Sequence, residues 1–101
     1  MKKIFVLFVF ILFKAGAQTS ALAVADSLYA LGNYTSAINA YAKVGGEKAN
    51  LQIARAYNAI GNYDKAIAQY TTIVDQNPDF ELARFELGKL LFKIKTYESA
   101  L

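Results

Sequence analysis

The chain has 101 residues and contains neither cysteine nor histidine, which excludes a disulfide framework, cysteine-based zinc sites and histidine-based acid–base catalysis. Its net charge of +3 comes from Lys2, Lys3 and Lys14, because 11 basic residues stand against 8 acidic ones in the whole sequence. The remainder is neutral, so the basic balance does not indicate nucleic-acid binding. There is no phosphate-binding loop and no carboxylate pair in a setting suited to acid–base work. We therefore expect no enzymatic activity and no cofactor or metal.

Residues 1–17 have the layout of a secretory signal peptide. Two lysines precede an apolar run over residues 4–13, and small residues follow at Ala15 and Ala17. The run is shorter than the roughly 20 residues that span a bilayer. We expect cleavage between Ala17 and Gln18, which would leave a periplasmic or secreted product without stable membrane insertion. The alternative is an uncleaved N-terminal anchor.

Residues 18–46 contain two helical patterns separated by a turn. Small and apolar residues recur at helical spacing from Ala21 to Leu28, and a second amphipathic pattern runs from Tyr34 to Val44. Gly32-Asn33 separates the two, since both residue types tolerate the left-handed backbone at a helix end. A glycine pair follows Val44, which predicts a trimmed second helix and a tight turn.

Residues 47–80 repeat this arrangement in full. A Gly61-Asn62 turn joins two helical patterns, and Pro78 ends the unit. Small residues recur at Ala54 and Ala66, where we expect helices to approach closely. The large residues predicted to face them are Ile53, Tyr57, Tyr63, Ile67 and Tyr70.

Residues 81–101 begin a third unit. Leu87-Gly88 predicts another close helix approach, and Lys95-Thr96 stands where the earlier units have Gly-Asn. We expect a turn there and a second helix that begins at Tyr97. The rings of Tyr34, Tyr63 and Tyr97 should each pack beneath the turn that precedes them. The unit stops early, which suggests the N-terminal piece of a longer repeat protein. Its exposed apolar residues predict self-association.

The central unit resembles a tetratricopeptide repeat (TPR), whose pattern of about 34 residues has Trp, Leu-Gly, Tyr, Ala, Phe and Pro at set positions. Those positions here hold Asn50, Ile53-Ala54, Tyr57, Ala66, Tyr70 and Pro78, with Asn50 as the outright departure. The resemblance implies an all-α fold of helix-turn-helix repeats stacked as a right-handed α-solenoid. TPR 1 would cover 18–46, TPR 2 would cover 47–80, and a truncated TPR 3 would cover 81–101.

The resemblance also implies a concave groove that binds a protein or peptide and is lined by the first helix of each repeat. Carried over by position, the peptide-binding residues are Asp26, Tyr29, Lys48, Leu51, Arg55, Asn58, Phe85, Lys89 and Phe92, with Leu22 and Leu82 beside them. We expect Asp26 to pair with Arg55 at the centre. The groove then suits an extended or helical peptide with aromatic or acidic anchors.

One TPR subclass grips a C-terminal carboxylate with a Lys/Asn/Arg clamp. The clamp positions hold Leu22, Asp26, Gln52, Leu82 and Glu86 here, and acids or leucines do not attract a carboxylate.

Three functional hypotheses remain open from the sequence. The first is an exported TPR scaffold in the bacterial envelope that mediates protein–protein interaction. The second is a docking or sensory N-terminal module of a larger enzyme or receptor. The third is a structural repeat that pairs with copies of itself.

Overall fold

The computed structural model describes residues 20–100, which form five helices and no strand. Residues 20–30 form α1, followed by α2 (Tyr34–Val44), α3 (Gly46–Ala59), α4 (Tyr63–Gln76) and α5 (Glu81–Ala100). α2 packs against α3, α3 against α4 and α4 against α5, and Ala25 of α1 shares an apolar cluster with Ala37 and Tyr41 of α2. The predicted all-α repeat fold is confirmed, whereas the leader and its cleavage site lie outside the described residues.

The Gly-Asn turns end one helix and start the next. Gly61 has φ +79°, a left-handed conformation that glycine adopts without a Cβ penalty. Its N–H donates to the Asn58 carbonyl, and the N–H of Asn62 donates to the Tyr57 carbonyl. This is a Schellman pattern, which satisfies carbonyls at the end of α3. The Asn62 side chain then accepts from the N–H of Lys65 at the start of α4.

The first repeat is shortened at its second helix, as its sequence predicts. α2 has 11 residues where α4 has 14. Gly45 and Gly46 follow α2 with φ of +74° and +91°, so the chain reverses into α3 within a very short turn. α3 therefore remains in contact with α2, and the glycine pair forms a turn within one stack of helices instead of a boundary between two domains.

Two apolar clusters make up the core. Ala25, Ala37 and Tyr41 belong to the first cluster, and Ala54, Ala66 and Tyr70 to the second. The four alanines are fully buried, which confirms that Ala54 and Ala66 lie at close helix approaches. The ring of Tyr57 contacts both clusters and joins the two halves of the stack.

The structure corrects the sequence-based interpretation of the third unit. α5 continues without a break through Lys95 and Thr96, and no turn precedes Tyr97. The physical reason is that Lys95 occupies the place of Gly61, and a side chain there disfavours the left-handed backbone that the turn needs. Tyr97 accordingly remains 55% exposed instead of packing beneath a turn.

Gly88 also departs from expectation. A Cβ built on Gly88 would meet no atom within 4 Å, so no helix approaches it closely. Leu91, one turn further along α5, is 47% exposed. Because α5 does not fold back on itself, this face of the helix is left uncovered by the rest of residues 20–100.

Among the helices of residues 20–100, none combines the length and hydropathy that a membrane crossing requires.

Candidate functional site

A concave groove of about 1140 Å³ runs between α3 and α5. The end of α3 and its turn form one wall, α5 forms the other, and aromatic rings from α1 and α4 complete the surface. We define the groove by its lining side chains, which are Tyr29, Arg55, Asn58, Ile60, Tyr63, Tyr70, Leu82, Phe85, Glu86, Lys89, Leu90, Phe92, Lys93, Thr96 and Tyr97, together with Ala59 and Gly61.

Most of the sequence-predicted site residues meet in this groove. Tyr29, Arg55, Asn58, Phe85, Lys89 and Phe92 line it, although they come from three different helices. Their convergence follows from stacking, which places equivalent positions of successive repeats side by side.

Three predicted residues do not line the groove. Leu51 is only 5% exposed and packs with Ala66 and Ala83 in the core, because α5 lies against this side of α3. Its assignment to the binding surface was wrong. Lys48 is exposed but lies outside the groove, and Asp26 is engaged elsewhere.

The centre of the groove is an ion pair between Arg55 and Glu86. The Nε of Arg55 donates to Glu86 Oε1 at 2.8 Å, and its Nη2 donates to Glu86 Oε2. This two-point contact is the geometry in which a guanidinium binds a carboxylate most specifically. The predicted Asp26–Arg55 pair is therefore wrong, because Glu86 reaches Arg55 across the α3–α5 interface and occupies its fork.

Glu86 also accepts a hydrogen bond from the hydroxyl of Tyr70, at 2.9 Å. Burial by itself would raise the pKa of Glu86, but the hydrogen bonds from Arg55 and Tyr70 outweigh it and leave the pKa below its ordinary value. The same bond to Glu86 raises the pKa of Arg55. Burial, with the hydrogen bond to Glu86, raises the pKa of Tyr70 far above the ordinary value. At neutral pH the cluster is thus a charged pair with a neutral phenol.

Gln52 extends this cluster towards the start of the stack. Its Oε1 accepts from Arg55 Nη1 at 2.9 Å, and its Nε2 donates to the hydroxyl of Tyr41 at 3.3 Å. That hydroxyl in turn donates to the carboxylate of Asp26. Burial and the bond to Asp26 raise the pKa of Tyr41 to about 12.

The result is a continuous polar network that joins all five helices. It runs from Asp26 on α1, through Tyr41 on α2 and Gln52 and Arg55 on α3, to Glu86 on α5, with Tyr70 of α4 attached there; this is the interrepeat network. Because the four side chains between its two ends each have two partners, the network holds the two walls of the groove at a defined separation.

Aromatic and basic side chains of α5 also line the groove. Phe85 and Phe92 are 65% and 73% exposed. The ammonium of Lys89 lies 5.9 Å from the ring centroid of Phe85, and that of Lys93 lies 5.1 Å from the centroid of Tyr63 and 5.9 Å from that of Tyr97. These distances are within cation–π range, so the rings hold the two ammonium groups beside the groove.

The amide of Asn58 is a further polar group in the groove wall. Its Oδ1 is buried and accepts no hydrogen bond from any described residue. Within residues 20–100, no group of acidic side chains is arranged to hold a metal ion.

Sequence reasoning missed Glu86 and Lys93 as groove residues. Glu86 was considered solely as a poor clamp residue, although its spacing from Lys89 and Lys93 places it on the same face of α5. That helical spacing was the available signal for both residues. The partnership with Arg55, 31 positions away, left no local signal.

In a comparison with protein-family profiles, residues 51–101 match the tetratricopeptide repeat. Comparisons with curated proteins and with solved structures give no significant match. The matched segment includes α4, α5 and the second part of α3 from Leu51 onward, so it covers both walls of the groove. Repeats of this kind generally mediate protein–protein interactions. The paired helices, the Gly-Asn turns and the buried alanines of the described residues agree with that match, and the chain belongs to the tetratricopeptide repeat family.

Proposed function

We propose that this chain is an exported TPR scaffold of the cell envelope that binds a segment of another protein in the groove. The observation that carries the proposal is the exposure of Phe85 and Phe92 inside a concave surface. Large aromatic side chains are costly to leave in water and are typical anchors of protein interfaces.

The interrepeat network supports the same function. A surface that is already held in shape loses less conformational entropy when a partner binds. Hydrogen bonds among Arg55, Glu86 and Tyr70 connect the helices that form the groove. The rings of Phe85 and Phe92 are exposed on α5. The proposed division is that the network supports the surface and the phenylalanines contact the partner.

The binding test is capture from envelope extract with the full chain, followed by titration of the enriched protein. Phe92→Ala should weaken the titrated affinity by about tenfold or more, as truncated interface anchors do. The matched control is Leu91→Ala, because Leu91 is an exposed apolar neighbour on α5 that does not line the groove. Equal losses from both variants, or no loss from Phe92→Ala, would contradict binding in the groove.

The proposed export rests on the layout of residues 1–17, with a basic start, an apolar run and Ala15-Gly16-Ala17. Expressed in a bacterial host, the chain should be cut between Ala17 and Gln18. Intact-mass measurement of the periplasmic and membrane fractions tests this. A product that retains Met1 would refute cleavage and indicate an anchor.

A further inference from the structure

We propose that the groove selects an acidic segment, with two carboxylates that contact Lys89 and Lys93 and an apolar side chain that packs on Phe85 and Phe92. This inference rests on the proposed function, since it names the chemistry of the partner that the groove would bind.

Arg55 is not the anion site. Its Nε, Nη1 and Nη2 are already engaged by Glu86 and Gln52. A partner carboxylate would have to displace Glu86, whose own charge and hydrogen bonds would then lose their compensation. The negative charge of a partner is therefore best placed away from the centre of the groove.

The groove lining has uncompensated positive charge on α5. Arg55, Lys89 and Lys93 are the cations that line the groove, and Glu86 is the carboxylate among its described lining residues. Glu86 forms its ion pair with Arg55, and neither Lys89 nor Lys93 forms an ion pair with any residue in the described range 20–100. Two ammonium groups thus remain to attract a partner of opposite charge.

The spacing of Lys89 and Lys93 along α5 sets the spacing expected for the partner's two carboxylates. Lys89 and Lys93 lie four residues apart on one helix, which places them about 6 Å apart along its axis. Carboxylates one helical turn apart, or at alternate positions of an extended strand, match that separation.

Aromatic side chains supply the apolar part of the proposed binding site. Phe85 precedes Lys89 by one turn and Phe92 follows it, so aromatic surface borders the basic pair. A leucine or aromatic side chain beside the partner's acids could be desolvated against these rings. Because the described charges are few and the chain beyond residues 1–17 is neutral, an acidic protein segment fits better than a nucleic-acid backbone.

The test is a peptide-display selection with the full chain as bait, followed by affinity measurement on the enriched synthetic peptides. The enriched sequences should carry two acidic residues near a leucine or an aromatic residue. Replacing both acids by Gln should weaken binding by about tenfold or more, and added salt should weaken the acidic peptide much more than its Gln version.

Variants of the protein complete the test. The pair Lys89→Glu with Lys93→Glu should reverse the preference to basic peptides, whereas Lys95→Ala should change nothing, because Lys95 is exposed on α5 outside the groove. Circular dichroism of each variant verifies that the helices are retained.

Two failures can be told apart. Enriched peptides that lack acids but lose affinity with Phe92→Ala would overturn the acidic selectivity and leave groove binding intact. Peptides insensitive to both the lysine and the phenylalanine variants would overturn the groove itself. Stronger binding of a single-stranded oligonucleotide than of any peptide would also overturn the proposal.

Discussion

Replacing Glu86 by glutamine tests whether the interrepeat network stabilises the fold. The two carboxylate oxygens of Glu86 accept from Arg55 and Tyr70 at three donor atoms. Glutamine keeps the volume, but its amide group would point a donor at a guanidinium that is itself a donor. The variant therefore loses the charge and at least one hydrogen bond.

The expected size follows from exposure. Hydrogen bonds to charged groups contribute about 1.5–3 kcal/mol. The side chain of Arg55 is 34% exposed and that of Glu86 is 17% exposed, so water recovers part of the loss and we expect about 2 kcal/mol. For a domain of this size that corresponds to a fall in Tm of about 8–16 °C. Glu98→Gln is the matched control on α5, and as an exposed change it should stay within ~0.5 kcal/mol.

The pH dependence supplies an independent measurement. The folded-state pKa of Glu86 lies below its ordinary value of 4.5, so its contribution to stability is present above that value and is lost as the pH falls through the folded-state pKa. The difference in free energy of unfolding between wild type and Glu86→Gln should therefore shrink on acidification below pH 4.5. Urea denaturation across this range measures it. Equal stabilities at neutral pH, or a difference that is unchanged in acid, would refute the reasoning.

Three further predictions concern packing, turns and a buried phenol. Ala66→Leu should lower the free energy of unfolding by about 1–3 kcal/mol because the buried site has no room for a larger side chain. Ala68→Leu, on the exposed side of α4, should change it by ~0.5 kcal/mol at most, and thermal denaturation of the two variants makes the comparison. Gly88→Ala should raise the free energy of unfolding by about 0.5–1 kcal/mol because the added methyl meets no atom, whereas Gly61→Ala should lower it by about 1 kcal/mol or more because Gly61 has a positive φ. Urea denaturation measures both changes, and a stabilising Gly61→Ala would contradict the turn geometry. Burial and the hydrogen bond to Asp26 raise the pKa of Tyr41 to about 12, so its stabilising contribution should be lost as the pH rises from 10 through 12. Spectrophotometric titration against Tyr41→Phe checks this, and ionisation near pH 10 would show that the phenol is neither buried nor held by Asp26.

The repeat architecture was predictable from the amino-acid sequence. Gly32 and Gly61 were identifiable as turn residues because a left-handed backbone is a local property that glycine permits. Ala54 and Ala66 were identifiable as core residues because helical spacing predicts which side of a helix is buried. Repetition of these local signals in phase carried the resemblance to tetratricopeptide repeats, and that resemblance implied the stacking of the helices.

The chemistry of the groove depends on how the helices pack and was not predictable from the sequence. Position in the repeat predicted that Asp26 and Arg55 would be neighbours, but Glu86 reaches the guanidinium instead, and Leu51 turns into the core. The continuous course of α5 likewise depended on whether a helix ends at Lys95, where the local preference is weak. The physical reason is that an ion pair across 31 positions is selected by the packing of two helices, to an accuracy of about 1 Å, whereas periodicity specifies only the side of the helix on which a residue lies.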